Sequence, residues 1–264
     1  MSADSKTSMK WDYTKASSEE NARMEECTTP PATAMLVQAG LLPSAPQGAL
    51  VLDNACGTAV VASLLFEALG KTTDVRVVCA DLEEGMVKLA AERIAHGGWN
   101  AEACVADAQA LPFPDSHFTH NMINFGIQLM PDNALVLKES FRVLKSGGKI
   151  GMTTWITPGW LPTMQAAIPS WTPPPLFTSG PLATTESING ILRAAGFVGI
   201  EVKPMSFEHC SESVESFLKN MRPLLGTLLG GEQHSETYEA YMRERHGDGV
   251  TLTWKAFVIT AEKP

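Results

Sequence analysis

ALVLDNACGTA, residues 49–59, is the stretch on which the fold turns. Its first part, Ala49 to Asn54, is a short apolar run that ends on two polar residues, the pattern of a strand buried on both faces. ACGTA supplies small residues for a tight turn, and VVASLLFEAL (60–69) follows with the continuous apolar face of a helix. A strand that enters a helix through small residues lets backbone N–H groups and a helix N-terminus approach a ligand closely.

The same alternation runs outward along the chain. VRVVCAD (75–81) is a second buried strand, and EEGMVKLAAERIAHGG (83–98) is a helix with Glu83 and Glu84 in its first turn and glycines past its end. AEACVAD (101–107), FTHNMINF (118–125) and KIGMTTW (149–155) read as strands three to five. DNALVLKESFRVLKSGG (132–148) is an amphipathic helix with an N-terminal Asp and a Gly-Gly stop. Apolar strands alternating with helices predict βαβ units and a mostly parallel sheet with helices on both faces. NGILRAAGFVGIEVKPM (189–205) continues as helix then strand, and SVESFLKNMRPLLGTLL (213–229) as a helix broken at its proline. VTLTWKAFVITA (250–261) alternates like a strand that pairs antiparallel at the sheet edge. The expected sheet has seven strands, mostly parallel, with an antiparallel C-terminal strand.

From Ile150 to Thr185 there is no Asp, Glu, Lys, Arg or His, and Pro158, Pro162, Pro169, Pro173, Pro174, Pro175 and Pro181 forbid a long helix. The segment is either a buried crossover that covers the sheet or an apolar cap lining a substrate pocket. The cap is favoured, because the segment starts past the C-terminal end of a central strand, where open α/β sheets bind ligands. Trp160, Met164 and Trp171 are then substrate-binding candidates.

Composition limits the partners. The chain has 264 residues, 44% hydrophobic and 19% charged, enough apolar material for a sizeable core. Its 20 Lys and Arg against 29 Asp and Glu give a net charge of −9, and no basic stripe offers a nucleic-acid footprint. Five cysteines without CxxC spacing fit a reducing compartment. MSADSKTSMKWDYTKASSEE (1–20) has no apolar run for a leader, and no 18-residue apolar stretch occurs, so a cytoplasmic protein without membrane association is expected.

The strand ends carry the chemistry. Only Gly57 in the first turn is a glycine, so the dinucleotide fingerprint GxGxxG is absent, as is a phosphate-loop lysine. Asp53 ends the first strand. Asp81 ends the second and can accept both hydroxyl protons of a ribose. Asp107 ends the third and can accept from an exocyclic amine. Three carboxylates on successive strand tips suit an adenosine ligand that has a positive centre and no phosphates.

VLDNACGTA (51–59), VCADLEEGMVKLA (78–90), VADAQALPFPDSHFTHNMINFG (105–126) and ALVLKESFRVLKSGGKIGMTTW (134–155) follow one another in family order. On these stretches the chain resembles class I S-adenosylmethionine-dependent methyltransferases. Over most of its length it is similar to fungal secondary-metabolism small-molecule methyltransferases of the gliotoxin bis-thiomethyltransferase type, with their DNACG turn, FGxQxxPD stretch and STW-like strand end. The resemblance implies a Rossmann-like three-layer α/β sandwich, S-adenosyl-L-methionine as cofactor and S-adenosyl-L-homocysteine as product. It divides one domain into N-terminal lid helices (1–48), a cofactor core (49–155), an apolar substrate cap (156–185) and the remainder of the sheet and helices (186–264). It assigns Asp53, Asn54, Ala55, Cys56 and Gly57 to the methionine part, and Asp81 and Leu82 to ribose and adenine with Met86 nearby. Asp107 and Ala108 go to the adenine edge, Asn124, Phe125 and Gly126 to the sulfonium side, and Tyr13 to the lid. Ala55 and Ala59 depart from the family glycines; each puts a methyl group where the cofactor approaches, in turns that prefer φ > 0.

A sulfonium methyl is already activated, so alignment and exclusion of water are the main tasks, and positioning can supply roughly 7–11 kcal/mol. Ile127, Gln128 and Trp155 are candidates for holding the acceptor, with Gln128 and Trp155 acting in catalysis. His117 and His120 begin strand four, at the wrong end of the sheet, His96 ends a helix, and His209, His234 and His246 lie in the tail. No histidine is poised as a base, which favours an acceptor that ionises readily: a thiol, an acidic phenol or an amine. Asn124-Phe125-Gly126-Ile127 lacks the prolines of DNA amino-methyltransferases and no Pro-Cys pair occurs, so nucleic acid is excluded as substrate. The uncharged cap offers no carboxylates for a metal, and none is expected. The expected protein is a monomeric methyltransferase acting on a small apolar acceptor, a thiol by preference and an oxygen or nitrogen otherwise. The rival is a cofactor-binding protein of the same fold that steers a rearrangement or regulates a partner without transferring methyl.

Overall fold

Val51 and Leu52 are both fully buried and belong to different clusters, one on each face of the sheet, which is why the first strand reads as an unbroken apolar run. The computed structural model describes residues 25–229, 232–247 and 249–264. Its strands are β1 (Leu50–Asn54), β2 (Arg76–Asp81), β3 (Ala101–Val105), β4 (Phe118–Asn124), β5 (Leu144–Thr157), β6 (Val198–Ser211) and β7 (Val250–Glu262). They form one seven-stranded sheet in the order β3-β2-β1-β4-β5-β7-β6, with β7 antiparallel to both neighbours. The helices among the described residues are α1 (Thr29–Gln38), α2 (Val60–Leu69), α3 (Glu84–Gly97), α4 (Asn133–Val143), α5 (Trp160–Ala167), α6 (Thr185–Ala194), α7 (Val214–Leu229) and α8 (Glu232–Arg245).

One face of the sheet packs on α1, α2 and α3 through Met35, Leu36, Leu65, Ala90 and Met122. The other packs on α4 and α6 through Ile123, Leu137, Met152, Ile188 and Leu192. The sheet with these two faces is the expected three-layer sandwich. The strand order reverses between β1 and β4, so the crevice at their C-terminal ends is where a ligand binds in such a sheet.

The C-terminal strand is antiparallel as expected and belongs to an edge pair: β7 lies between β5 and β6, and β6 takes the edge. The alternation at the start of β7 gives way to Ala256–Ala261, a buried run that needs a neighbour on each side. The helix expected to break at its proline continues through it as α7, since one lost hydrogen bond is outweighed by burial of Val214, Phe217, Leu218, Met221, Leu225 and Leu228. In the uncharged segment, Trp160, Met164 and Trp171 are not among the residues that line the crevice. Trp160, Leu161, Met164 and Ile168 are buried in a third cluster with α7, Tyr238, Met242 and Trp254, and Trp171 donates its indole N–H to the Leu228 carbonyl at 3.0 Å. The segment lacks charge because it is packed against α7 and α8. No helix among the described residues is long and apolar enough to cross a membrane.

His120 gives the fold a pH signature. It lies on β4, 6% exposed, with Nδ1 2.9 Å from the Thr119 hydroxyl. Burial, with Lys149 nearby, pushes its pKa from 6.5 down to about 4. Above pH 6.5 the ring is neutral in both folded and unfolded chains and has no effect on stability. As pH falls from 6.5 toward 4, the unfolded chain takes up a proton that the folded one refuses. This loss amounts to about 3 kcal/mol. Urea unfolding at pH 7 and pH 4.5 should show it, and His120→Asn should remove about one proton from the slope.

Candidate active site

A cavity of about 440 Å³ opens at the C-terminal ends of β1, β2 and β4, within the range of small-molecule sites. Its wall includes Asp53, Ala55, Cys56 and Gly57 from the first turn, Asp81, Leu82 and Met86 after β2, Asp107 and Ala108 after β3, and Asn124, Phe125 and Gly126 after β4. The four motifs are thus brought to one place, although β3 and β4 come from opposite sides of β1.

The turn is built on left-handed backbone. Ala55, Gly57 and Ala59 have φ of +57°, +53° and +65°. Both alanines that replace family glycines therefore sit where a Cβ costs roughly 1–2 kcal/mol. Ala55 has a compensating partner: a Cβ on Gly126 would lie 2.7 Å from the Ala55 Cβ, so the methyl group gained on one side is matched by a glycine on the other. The Gly57 N–H donates to Asp81 Oδ2 at 2.8 Å and the Glu83 N–H to Asp81 Oδ1 at 3.0 Å. One carboxylate thus ties the first turn to the start of α3. Helix α2 starts at this turn with no side-chain cap, and Val60 and Val61 of its first turn line the cavity.

Phe125 also has left-handed backbone, φ +56°. It is held there by its N–H to the Thr153 hydroxyl (3.0 Å), by the Thr153 hydroxyl donating to Asn124 Oδ1 (2.7 Å), and by stacking on Trp155 with ring centroids 3.9 Å apart. Strained backbone held by surrounding contacts is characteristic of functional sites. Trp155 in turn lies 5.1 Å from Trp254, continuing an aromatic wall away from the cavity.

Five carboxylates line the cavity, Glu25, Asp53, Asp81, Glu83 and Asp107, with no lysine, arginine or histidine among the described lining residues. Burial pushes Asp53 and Asp81 above the usual carboxylate range, and the neighbouring Asp81 adds to the effect on Asp53. A positively charged ligand relieves that penalty. An anionic phosphate chain would increase it.

Other expected residues fall elsewhere. Asn54 is buried beneath the turn, and its Nδ2 has no hydrogen-bond partner. Ile127 is fully buried in the core and not on the wall. Gln128 accepts the Trp155 backbone N–H at 2.9 Å, so its oxygen ties the end of β4 to β5. Trp160, Met164 and Trp171 lie in the third cluster described above. Tyr13 lies outside the described residues. His209 is on β6, 3.7 Å from Glu26 and edge-on to Trp254.

The wall also holds residues that the motifs do not mark. Gln109 follows Asp107, which accepts its N–H at 2.8 Å, and its side-chain oxygen accepts the Asp132 N–H at 3.1 Å. That turn was readable two residues after Asp107. Leu129, Met130 and Pro131 follow the FGxQ stretch. Glu25 and Thr28 come from the segment before α1, where nothing local points to a ligand.

These residues fit the cofactor that the resemblance implies. A ribose can bind at Asp81, an adenine between Leu82, Met86 and Ala108, and a cationic methionine end in the carboxylate-lined remainder.

Comparison with known proteins agrees with this geometry. The family model described as the ubiE/COQ5 methyltransferase family matches residues 41–176. The chain is 30% identical to methyltransferase ktnA of Aspergillus niger, over 81% of this chain and 84% of that one. It is 26% identical to the acetylaranotin bis-thiomethyltransferase of Aspergillus terreus, over 92% and 93%. Among solved structures, Haemonchus contortus phosphoethanolamine N-methyltransferase 2 in complex with S-adenosyl-L-methionine superposes with a TM-score of 0.56 at 20% identity, covering 89% of this chain and 52% of that one. With the carboxylate-tipped strands, the left-handed turn and the match over more than half its length, the chain belongs to the ubiE/COQ5 methyltransferase family and is an S-adenosyl-L-methionine-dependent methyltransferase.

Proposed function

We propose that the protein methylates a small apolar acceptor, and that the accepting atom is the sulfur of a secondary-metabolite thiol. The observation that carries this reading is the titratable character of the wall: carboxylates and no histidine, lysine or arginine among its described residues. When bound, the cofactor supplies a methyl group already activated by its sulfonium charge. A thiol with pKa near ~8.5 brings its own thiolate at neutral pH and needs no protein base. The likeness to a bis-thiomethyltransferase over 92% of the chain supports the same choice.

In this reading the cofactor residues are those of the wall: Asp53 to Gly57 for the methionine part, Asp81, Leu82 and Met86 for the nucleoside, Asp107 and Ala108 for the adenine edge, and Asn124 to Gly126 for the sulfonium side. Phe125 and Trp155 form the apolar boundary on which the acceptor rests. Gln128 acts through Trp155, by holding that residue's backbone. The chain works as one domain and a monomer, with Glu25 and Thr28, just before α1, facing the cofactor.

The test is incubation with methyl-labelled cofactor and a panel of dithiols, phenols and amines. Label is expected in a thioether. Label confined to a methyl ether or a methylamine moves the acceptor to oxygen or nitrogen. Label in no product, with the cofactor bound, overturns the assignment of the acceptor to a thiol and places it outside these three classes.

A further inference from the structure

The segment leading into α1 puts Glu25 on the cavity wall, and α3 holds it there. Arg93 Nη1 donates to both oxygens of Glu25, at 2.8 and 3.0 Å, and the Thr58 hydroxyl also donates to Oε1. Arg93 is otherwise spent on the protein: it donates to the Thr58 carbonyl at 3.1 Å and the Ser63 hydroxyl at 2.9 Å. The Glu25 side chain is 14% exposed. A carboxylate has about four acceptor directions. Arg93 and Thr58 take two on Oε1 and one on Oε2. The remaining direction is free on the wall of a cavity whose described lining residues include no cation.

The order of the strand tips says which end of the ligand meets it. Asp107 follows β3 and Asp81 ends β2, so the nucleoside occupies that side. Glu25 touches Thr58, in the turn between β1 and α2, two strands away from β3 and beside the Asp53–Gly57 turn to which the methionine part is assigned.

We propose that Glu25 receives the α-ammonium group of the cofactor, sharing its three N–H donors with Asp53, and that Arg93 is a positioning residue that fixes the Glu25 carboxylate. This rests on the assignment of the cavity to S-adenosyl-L-methionine.

The test is calorimetric titration of the full chain with three ligands. They are S-adenosyl-L-homocysteine, its deamino analogue (carboxylate kept, ammonium absent), and 5′-methylthioadenosine, which lacks the amino-acid end. Glu25→Gln should weaken S-adenosyl-L-homocysteine roughly 10–100-fold, as expected for loss of a charge-assisted hydrogen bond. It should leave the deamino analogue and methylthioadenosine within about threefold. Arg93→Lys, which keeps the charge but loses the second nitrogen that anchors the side chain on Ser63, should shift the same ligand alone and by less. Equal weakening of all three ligands by Glu25→Gln makes the residue a packing element and overturns the proposal. So does unchanged S-adenosyl-L-homocysteine affinity. Failure of the unsubstituted protein to bind either S-adenosyl-L-homocysteine or methylthioadenosine overturns the cofactor assignment itself, a result distinguishable from the other two.

Discussion

Asp81→Ala should weaken binding of S-adenosyl-L-homocysteine by roughly 10²–10³-fold while the protein stays folded. Asp81 has two oxygens, and each already accepts one backbone N–H, from Gly57 at 2.8 Å and from Glu83 at 3.0 Å. Each keeps a second acceptor direction for a ribose hydroxyl. Hydrogen bonds to a charged group contribute about 1.5–3 kcal/mol each. Two such bonds account for the expected loss, and release of the Gly57 turn adds to it. Asp81→Asn keeps the shape and one acceptor oxygen, so its loss should be intermediate. Burial holds the Asp81 pKa above the usual carboxylate range. The hydroxyls prefer the ionised form, so affinity should rise with pH as this group deprotonates. Calorimetry at several pH values measures both effects. A loss below fivefold for the alanine variant would remove Asp81 from the ribose site.

Arg142→Ala should destabilise the fold by about 3 kcal/mol. At roughly 2–4 °C per kcal/mol, that lowers Tm by about 6–12 °C. Arg142 lies on α4. Its Nε and Nη2 donate to the two oxygens of Glu139 at 2.9 and 2.7 Å, its Nη2 to the Leu111 carbonyl at 2.9 Å, and its Nη1 to the Phe113 carbonyl at 2.7 Å. Glu139 also accepts the Leu111 N–H at 2.9 Å. Removing the guanidinium leaves two carbonyls without their donor and the Glu139 carboxylate with only the Leu111 N–H. The further bond to Asp115 adds little, because that side chain is 76% exposed. Asp115→Ala should therefore change stability by less than about 0.5 kcal/mol, which makes it the control. Arg142→Lys should recover little, since lysine lacks the planar fork that serves several acceptors at once. The stapled loop carries Asp107, Ala108 and Gln109 to the cavity, so cofactor affinity should fall with stability. Urea unfolding followed by ligand titration separates the two effects.

The amino-acid sequence alone was enough for the sheet's core and for most of the residues that line the crevice. Strand runs such as Leu50–Asn54 and helices such as Val60–Leu69 are set by local apolar periodicity, and chain order places them next to one another. Asp53, Asp81 and Asp107 were legible because each lies within two residues of the end of a strand that places it. The seat of β7 between β5 and β6, the burial of Trp160 and Met164 under α7, and the use of Gln128 to hold Trp155 were settled only in three dimensions. The pairing of Glu25 with Arg93, 68 residues apart, was settled in the same way. Periodicity shows that a side chain will be buried or will end a strand. It says nothing about which distant surface will cover it, because that depends on the free energy of packing whole layers together and not on any neighbour along the chain.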